Sequence, residues 1–194
     1  MARSEKENIF NLLAAVFAPP DQALLADLSQ AWSLFPRTGK TTLETLQKDY
    51  DRLFANGGGK NISLIESTHK AWTADGNCRL PFAGQKGWVM GDSALHLQSI
   101  LRALSLEVPP DFQGIPDHLV LELELLSYLY RSGSEDRILN FIEDHLDWIP
   151  ELAAQIREAA PDSFYREAVE RLDDFLSREK YSSKERKNGP ARIH

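Results

Sequence analysis

The stretch IPDHLVLELELLSYLY, residues 115–130, sets Asp117, His118, Glu122 and Glu124 among leucines and tyrosines. Carboxylates and an imidazole this close along a chain are the material of a general acid–base pair or a metal site. The same residue types also make a helix cap and a solvated face. A helix turns about 100° per residue, and the leucine pattern sorts the four groups on that basis. Glu122 falls inside the apolar arc, one turn after His118. Glu124 falls on the other side and is expected to face water. A carboxylate among leucines costs free energy unless it is paired. Glu122 is therefore expected to be a structural polar group, bonded to another helix or to His118. Asp117 stands in the first turn, where a carboxylate caps free N–H groups or stays open to a ligand. Spacing alone leaves both roles of Asp117 and His118 open.

Other chemistry is excluded by pattern. Gly57–Lys60 reads GGGK, but a phosphate loop needs Gly at 54 and Ser or Thr at 61, where Phe54 and Asn61 stand. No two of the five histidines have helical metal-site spacing. Glu143–Asp147, EDHLD, reads as a solvated helix end. Cys78 is the one cysteine, so no disulfide and no multi-cysteine zinc site is available, and no local group would activate it. No nucleophile elbow is present. The expectation is a protein that is not an enzyme, with no catalytic residues, no metal and no cofactor.

The net charge of −7 argues against a nucleic-acid partner. Residues 178–194 hold six basic residues against two acidic ones, so the remainder is more acidic than the total. An acidic body speeds encounter with a cationic partner, and equally it only keeps a protein in solution. The apolar run IFNLLAAVFA follows Glu5 and Glu7 and reads as an amphipathic helix rather than a leader. No run approaches the ~20 apolar residues of a membrane span. A cytoplasmic protein without membrane insertion is expected.

Helical periodicity recurs and strand alternation does not. The spacing predicts a helix opened by a Ser4–Glu7 capping box, with Ile9, Leu12, Leu13, Val16 and Phe17 inside. A second runs from Asp21 to about Phe35, with Leu24, Leu25, Leu28 and Trp32 inward. A third is opened by Thr41 and Glu44 and stopped by NGGGKN. Residues 55–91 are irregular apart from a short helix near LIESTHKAW. Asp92 or Ser93 caps a helix with Leu97, Ile100, Leu101 and Leu104 inside. The helix of the opening stretch and three more follow. The expected fold is all-α, a single bundle-like domain of about seven to nine helices over 1–177, with a basic, disordered tail over 178–194.

YDRLF (50–54), IEST (65–68), GDSALHL (91–97), PDHLVLELELLSYL (116–129) and the FIEDHLDWIPELAAQI and APDSFYREAVERLDDFL blocks stand in one order. In that order and spacing the chain resembles the TorD/DmsD/NarJ family of redox-enzyme maturation chaperones, over roughly residues 5–177. The resemblance implies a cytoplasmic, all-helical, TorD-like chaperone. Its partner would be the catalytic subunit of a molybdopterin oxidoreductase and that subunit's twin-arginine signal peptide. Export would be delayed until the cofactor is inserted. It implies peptide-binding residues at Pro116, Asp117 and His118, with Asp92 and Ser93 near them. Trp72, Trp88 and Leu53 are candidates for the apolar part of such a peptide; the two tryptophans equally suit a core. The segment TADGNCRLPFAGQKGW departs from the family pattern. Monomer and homodimer, including a helix-swapped one, both remain open. Two other functions also remain open: an adaptor for a folded partner, and an assembly factor binding guanine nucleotide or pterin.

Overall fold

The computed structural model describes residues 1–31, 34–35, 41–55 and 61–188. Among them nine α-helices and no strand are found. In chain order they are α1 (Arg3–Phe17), α2 (Gln22–Gln30), α3 (Leu43–Leu53), α4 (Glu66–His69), α5 (Asp92–Ala103), α6 (Leu119–Ser132), α7 (Glu135–His145), α8 (Ile149–Ala159) and α9 (Phe164–Asn188). The all-α expectation holds. Trp32 and the NGGGK stop of the third helix lie outside the described residues.

Capping shifts several boundaries. α1 begins one residue before Ser4, and Glu5 reaches back to accept from the Ala2 N–H at 2.7 Å, so Ser4 is not the cap. Asp21 caps α2 through the Leu24 N–H, as expected, but that helix ends at Gln30 rather than near Phe35. Thr42, not Thr41, caps α3. Gly91 is the cap residue of α5, ahead of Asp92. α9 continues as one helix to Asn188, across the boundary at 177 where a disordered tail was expected.

α6 is the axis of the molecule. Ten of its fourteen residues are buried, because it lies under α1, α7 and the 62–69 segment at once. α1 packs along it, with Phe10 and Tyr130 stacked at 5.3 Å between ring centroids. Ser127 Oγ donates to the Glu7 carbonyl across the same interface. α8 and α9 close the far side, and Tyr165 meets Tyr50 and Phe54 edge-on. The apolar stripe of α5 is only partly enclosed. Leu97 and Leu101 are buried, while Ile100 and Leu104 are half-exposed. That departure from the expected inward face is the first sign of a groove.

Candidate functional site

The groove lies between α5 and α7. One cavity, about 410 Å³, is lined by Ile100, Ala103, Leu104, Leu129 and Phe141, with Arg137 and Asn140 on its rim. A second, about 360 Å³, is lined by Lys70, Ala71, Ala74, Asp92 and Ser93. His96, Asp144 and His145 line both. One end is thus apolar and the other carries carboxylates. Gly91 makes the acidic end possible. A Cβ there would stand 2.5 Å from the Trp72 carbonyl oxygen, which accepts from the Asp92 N–H at 2.9 Å. Asp92 Oδ2 accepts from Thr73 Oγ1 and the Ala74 N–H, tying the 70s loop to the start of α5.

Behind the groove wall is a buried polar network. His96 Nδ1 and His145 Nε2 are 3.0 Å apart, and His145 Nδ1 is 2.9 Å from Glu66 Oε2. Lys70 Nζ donates to Glu66 Oε1 at 2.6 Å and also pairs with Asp147. The Trp148 indole N–H is 3.3 Å from Glu122 Oε2 and donates to the His145 carbonyl. Glu66 and Glu122 are both fully buried. Burial, then the charge of Glu66 and a hydrogen bond to it, raises the Glu122 carboxyl well above the usual range. For Glu66 burial acts in the same direction, but the bond and charge of His145, the Glu122 bond and Lys70 outweigh it and hold it low. The two carboxyls are thus pushed in opposite directions, Glu122 toward its protonated form and Glu66 toward its charged form.

Glu122 is buried, with Trp148 and Glu66 rather than His118 beside its carboxyl. Glu124 is exposed, as expected. EDHLD is not a solvated end: His145 is 1% exposed and sits at the centre of the network. The signal was present in the sequence, since His145 follows Phe141 by one turn on the apolar face of α7. Glu66 could not be found from α6, because it lies on a four-residue helix far away in the chain.

Pro116 and Asp117 are buried, and Asp117 is fully enclosed. Asp117 does not cap its own helix; His118 does, its Nδ1 accepting from the Val120 N–H at 3.2 Å. Asp117 Oδ2 accepts instead from the Ser67 N–H at 2.7 Å, while its carbonyl accepts from the Glu66 N–H. The Leu119 N–H donates to the Leu64 carbonyl beside it. Asp117 thus holds α4, and with it Glu66, against the start of α6. Asp117 Oδ1 has no hydrogen-bond partner, but the residue is fully enclosed, so a peptide reaches this carboxylate only if its cover opens. Asp117→Ala strands a buried N–H and is expected to lower the unfolding free energy by about 2 kcal/mol. Urea unfolding checks this, and Asp117→Asn, which keeps an acceptor, should recover most of the loss.

The remaining candidates separate. Leu53 is in the core, packed away from solvent. Trp72 and Trp88 are not core residues. Phe82 stacks on Trp88 at 4.7 Å and meets Trp72 edge-on at 5.2 Å, forming a partly exposed aromatic cluster. Trp72 lies next to the acidic cavity through the Asp92 bond; Trp88 stands one step further off, stacked on Phe82 and linked to Trp72 by the indole bond to the Val89 carbonyl. The structure thus joins Asp92, Ser93 and Trp72, and separately joins Pro116, Asp117 and His118. No described helix is long and apolar enough to cross a membrane.

Comparison with known proteins follows the same lines. A chain of the same architecture is that of a putative redox enzyme maturation protein from Archaeoglobus fulgidus, at TM-score 0.56 and 18% identity over 92% of this chain and 93% of that one. The chain is 29% identical to the selenate reductase assembly chaperone protein of Thauera selenatis, over 84% of this chain and 82% of that protein. The sequence pattern of the nitrate reductase delta subunit family matches residues 15–154, a span running from the end of α1 through the groove to the middle of α8. With most of its helices and both walls of the groove inside that match, the chain belongs to the nitrate reductase delta subunit family.

Proposed function

We propose that the chain is an assembly chaperone for a reductase related to the nitrate and selenate reductases, a molybdopterin oxidoreductase, and that it grips the client's twin-arginine leader in the α5–α7 groove. Membership of the delta subunit family and the likeness to a selenate reductase assembly chaperone support the chaperone role. The observation that carries the binding mode is the polarity of the groove. A twin-arginine leader joins an Arg pair to an apolar stretch. Asp92 and Asp144 border one cavity, and Ile100, Ala103, Leu104 and Phe141 border the next. Guanidinium–carboxylate bonds are charge-assisted and directional, and an apolar helix suits the other half. Arg137 stands about two turns before Asp144 on α7 and repels a cation at the apolar end, whereas Lys70 at the other end is already paired with Glu66 and Asp147; that difference sets the direction of the peptide.

Calorimetry with a synthetic peptide carrying an Arg pair and an apolar stretch tests the reading. Asp144→Lys is expected to weaken binding about tenfold or more, roughly 1.4 kcal/mol, because Asp144 is exposed and its replacement leaves the fold intact. Leu104→Asp should do the same from the apolar end. Unchanged affinity in both variants would place the leader elsewhere. Binding only to a folded, mature reductase would favour an adaptor instead.

A further inference from the structure

Two carboxylates buried against each other require something positive between them. Glu122 Oε1 has no hydrogen-bond donor, although it is completely enclosed. Lys70 does not fill that place; it lies on the Oε1 side of Glu66, bridging to Asp147. We propose that Glu66, Glu122 and His145, whose ligand atoms converge on the enclosed Glu122 Oε1, form a binding site for one first-row divalent cation of the zinc or cobalt kind.

The three side chains bring one ligand atom each within 4.8 Å of one another. Donors around such an ion at about 2.0–2.1 Å lie no more than roughly 4 Å apart, so a small rotation of a glutamate side chain seats it. The donor set, two carboxylates and one imidazole, suits zinc, cobalt or manganese better than the all-oxygen preference of calcium or magnesium. Each ligand already has its outer partner. Lys70 holds Glu66 Oε1, Trp148 holds Glu122 Oε2, and His96 meets His145 Nε2. Such supports orient ligands and fix the imidazole tautomer.

Charge also fits. Lys70 and Asp147 cancel, so a divalent ion against two glutamates and a neutral histidine leaves the cluster uncharged. His145 lines both cavities of the groove, which gives the ion a route from solvent.

Full-length protein stripped with a chelator is titrated with cobalt chloride and with zinc chloride near neutral pH. One cobalt ion per chain is expected, with visible d–d absorption and a rise in Tm. Glu122→Gln keeps the shape and hydrogen bonds of the protonated acid, so its metal-free Tm should match the wild type while metal affinity falls by roughly tenfold or more. His145→Gln gives the same reading should that variant not fold. Asp144→Asn, altering only the groove rim, should leave uptake unchanged. Absence of stoichiometric uptake by the wild type overturns the proposal. So does an affinity that Glu122→Gln leaves unchanged or that Asp144→Asn abolishes, since either marks a surface site.

Discussion

Glu66→Ala is expected to lower the unfolding free energy by about 3–5 kcal/mol, the range found when one partner is removed from a buried charged cluster. Glu66 is the acceptor on which the others converge: His145 at 2.9 Å and Lys70 at 2.6 Å, with Glu122 bonded to it as well. Alanine leaves His145 and Glu122 facing a void within the core. It also leaves Lys70 half-paired, held only by Asp147 and the Asp144 carbonyl. Glu66→Gln keeps the volume and one acceptor, and its loss should be smaller. Urea or thermal unfolding of the chelator-treated protein measures both. A loss below about 1 kcal/mol for the alanine variant would mean that water enters and solvates the cluster, contrary to the complete burial of Glu66 and Glu122.

The second large effect is a pH dependence set by His118. Burial depresses its pKa from 6.5 to about 4. The imidazole must also stay unprotonated at Nδ1 to accept from the Val120 N–H. Because the folded value lies below the unfolded one, the unfolded chain takes up the proton first as pH falls. Stability from this group is complete above about 6.5 and is lost as pH drops toward 4, up to roughly 3 kcal/mol. Carboxylates titrate over part of the same window, so the measurement is a difference. Wild type and His118→Asn are unfolded in urea at pH 7 and at pH 4.5. Asn keeps a cap acceptor and does not titrate. The wild type should lose more stability than the variant between the two pH values; parallel losses would remove His118 as the source.

Much of the architecture was legible because helices announce themselves by period. The Ile9, Leu13, Val16, Phe17 face of α1 and the leucines of α6 are buried where the spacing puts them. Boundaries were less legible, since a cap is a hydrogen bond between particular atoms: Thr42 rather than Thr41, Gly91 rather than Asp92. Glu122 stood out because it broke the apolar arc. Its partners did not, because Glu66 is fixed by Asp117 across a tertiary contact. His145 was hidden by the charged letters around it. Asp117 and His118 read as a single mouth, yet adjacent residues of a helix start point in different directions, one into the core and one onto the cap.

The pairing of α1 with α6 has a consequence for how the chain is made. Phe10 stacks on Tyr130, and Lys6 pairs with Glu179, 173 residues later in the chain. A ribosome adding about 5–20 residues per second needs on the order of ten seconds after Phe10 before Tyr130 emerges. Throughout that interval the apolar face of α1 lacks its α6 partner. Contacts so distant in sequence also raise contact order above that of an up-and-down bundle and slow folding. The N-terminal helix of this protein is therefore itself a stretch of nascent chain that waits, sticky and half-made, for a late-arriving surface.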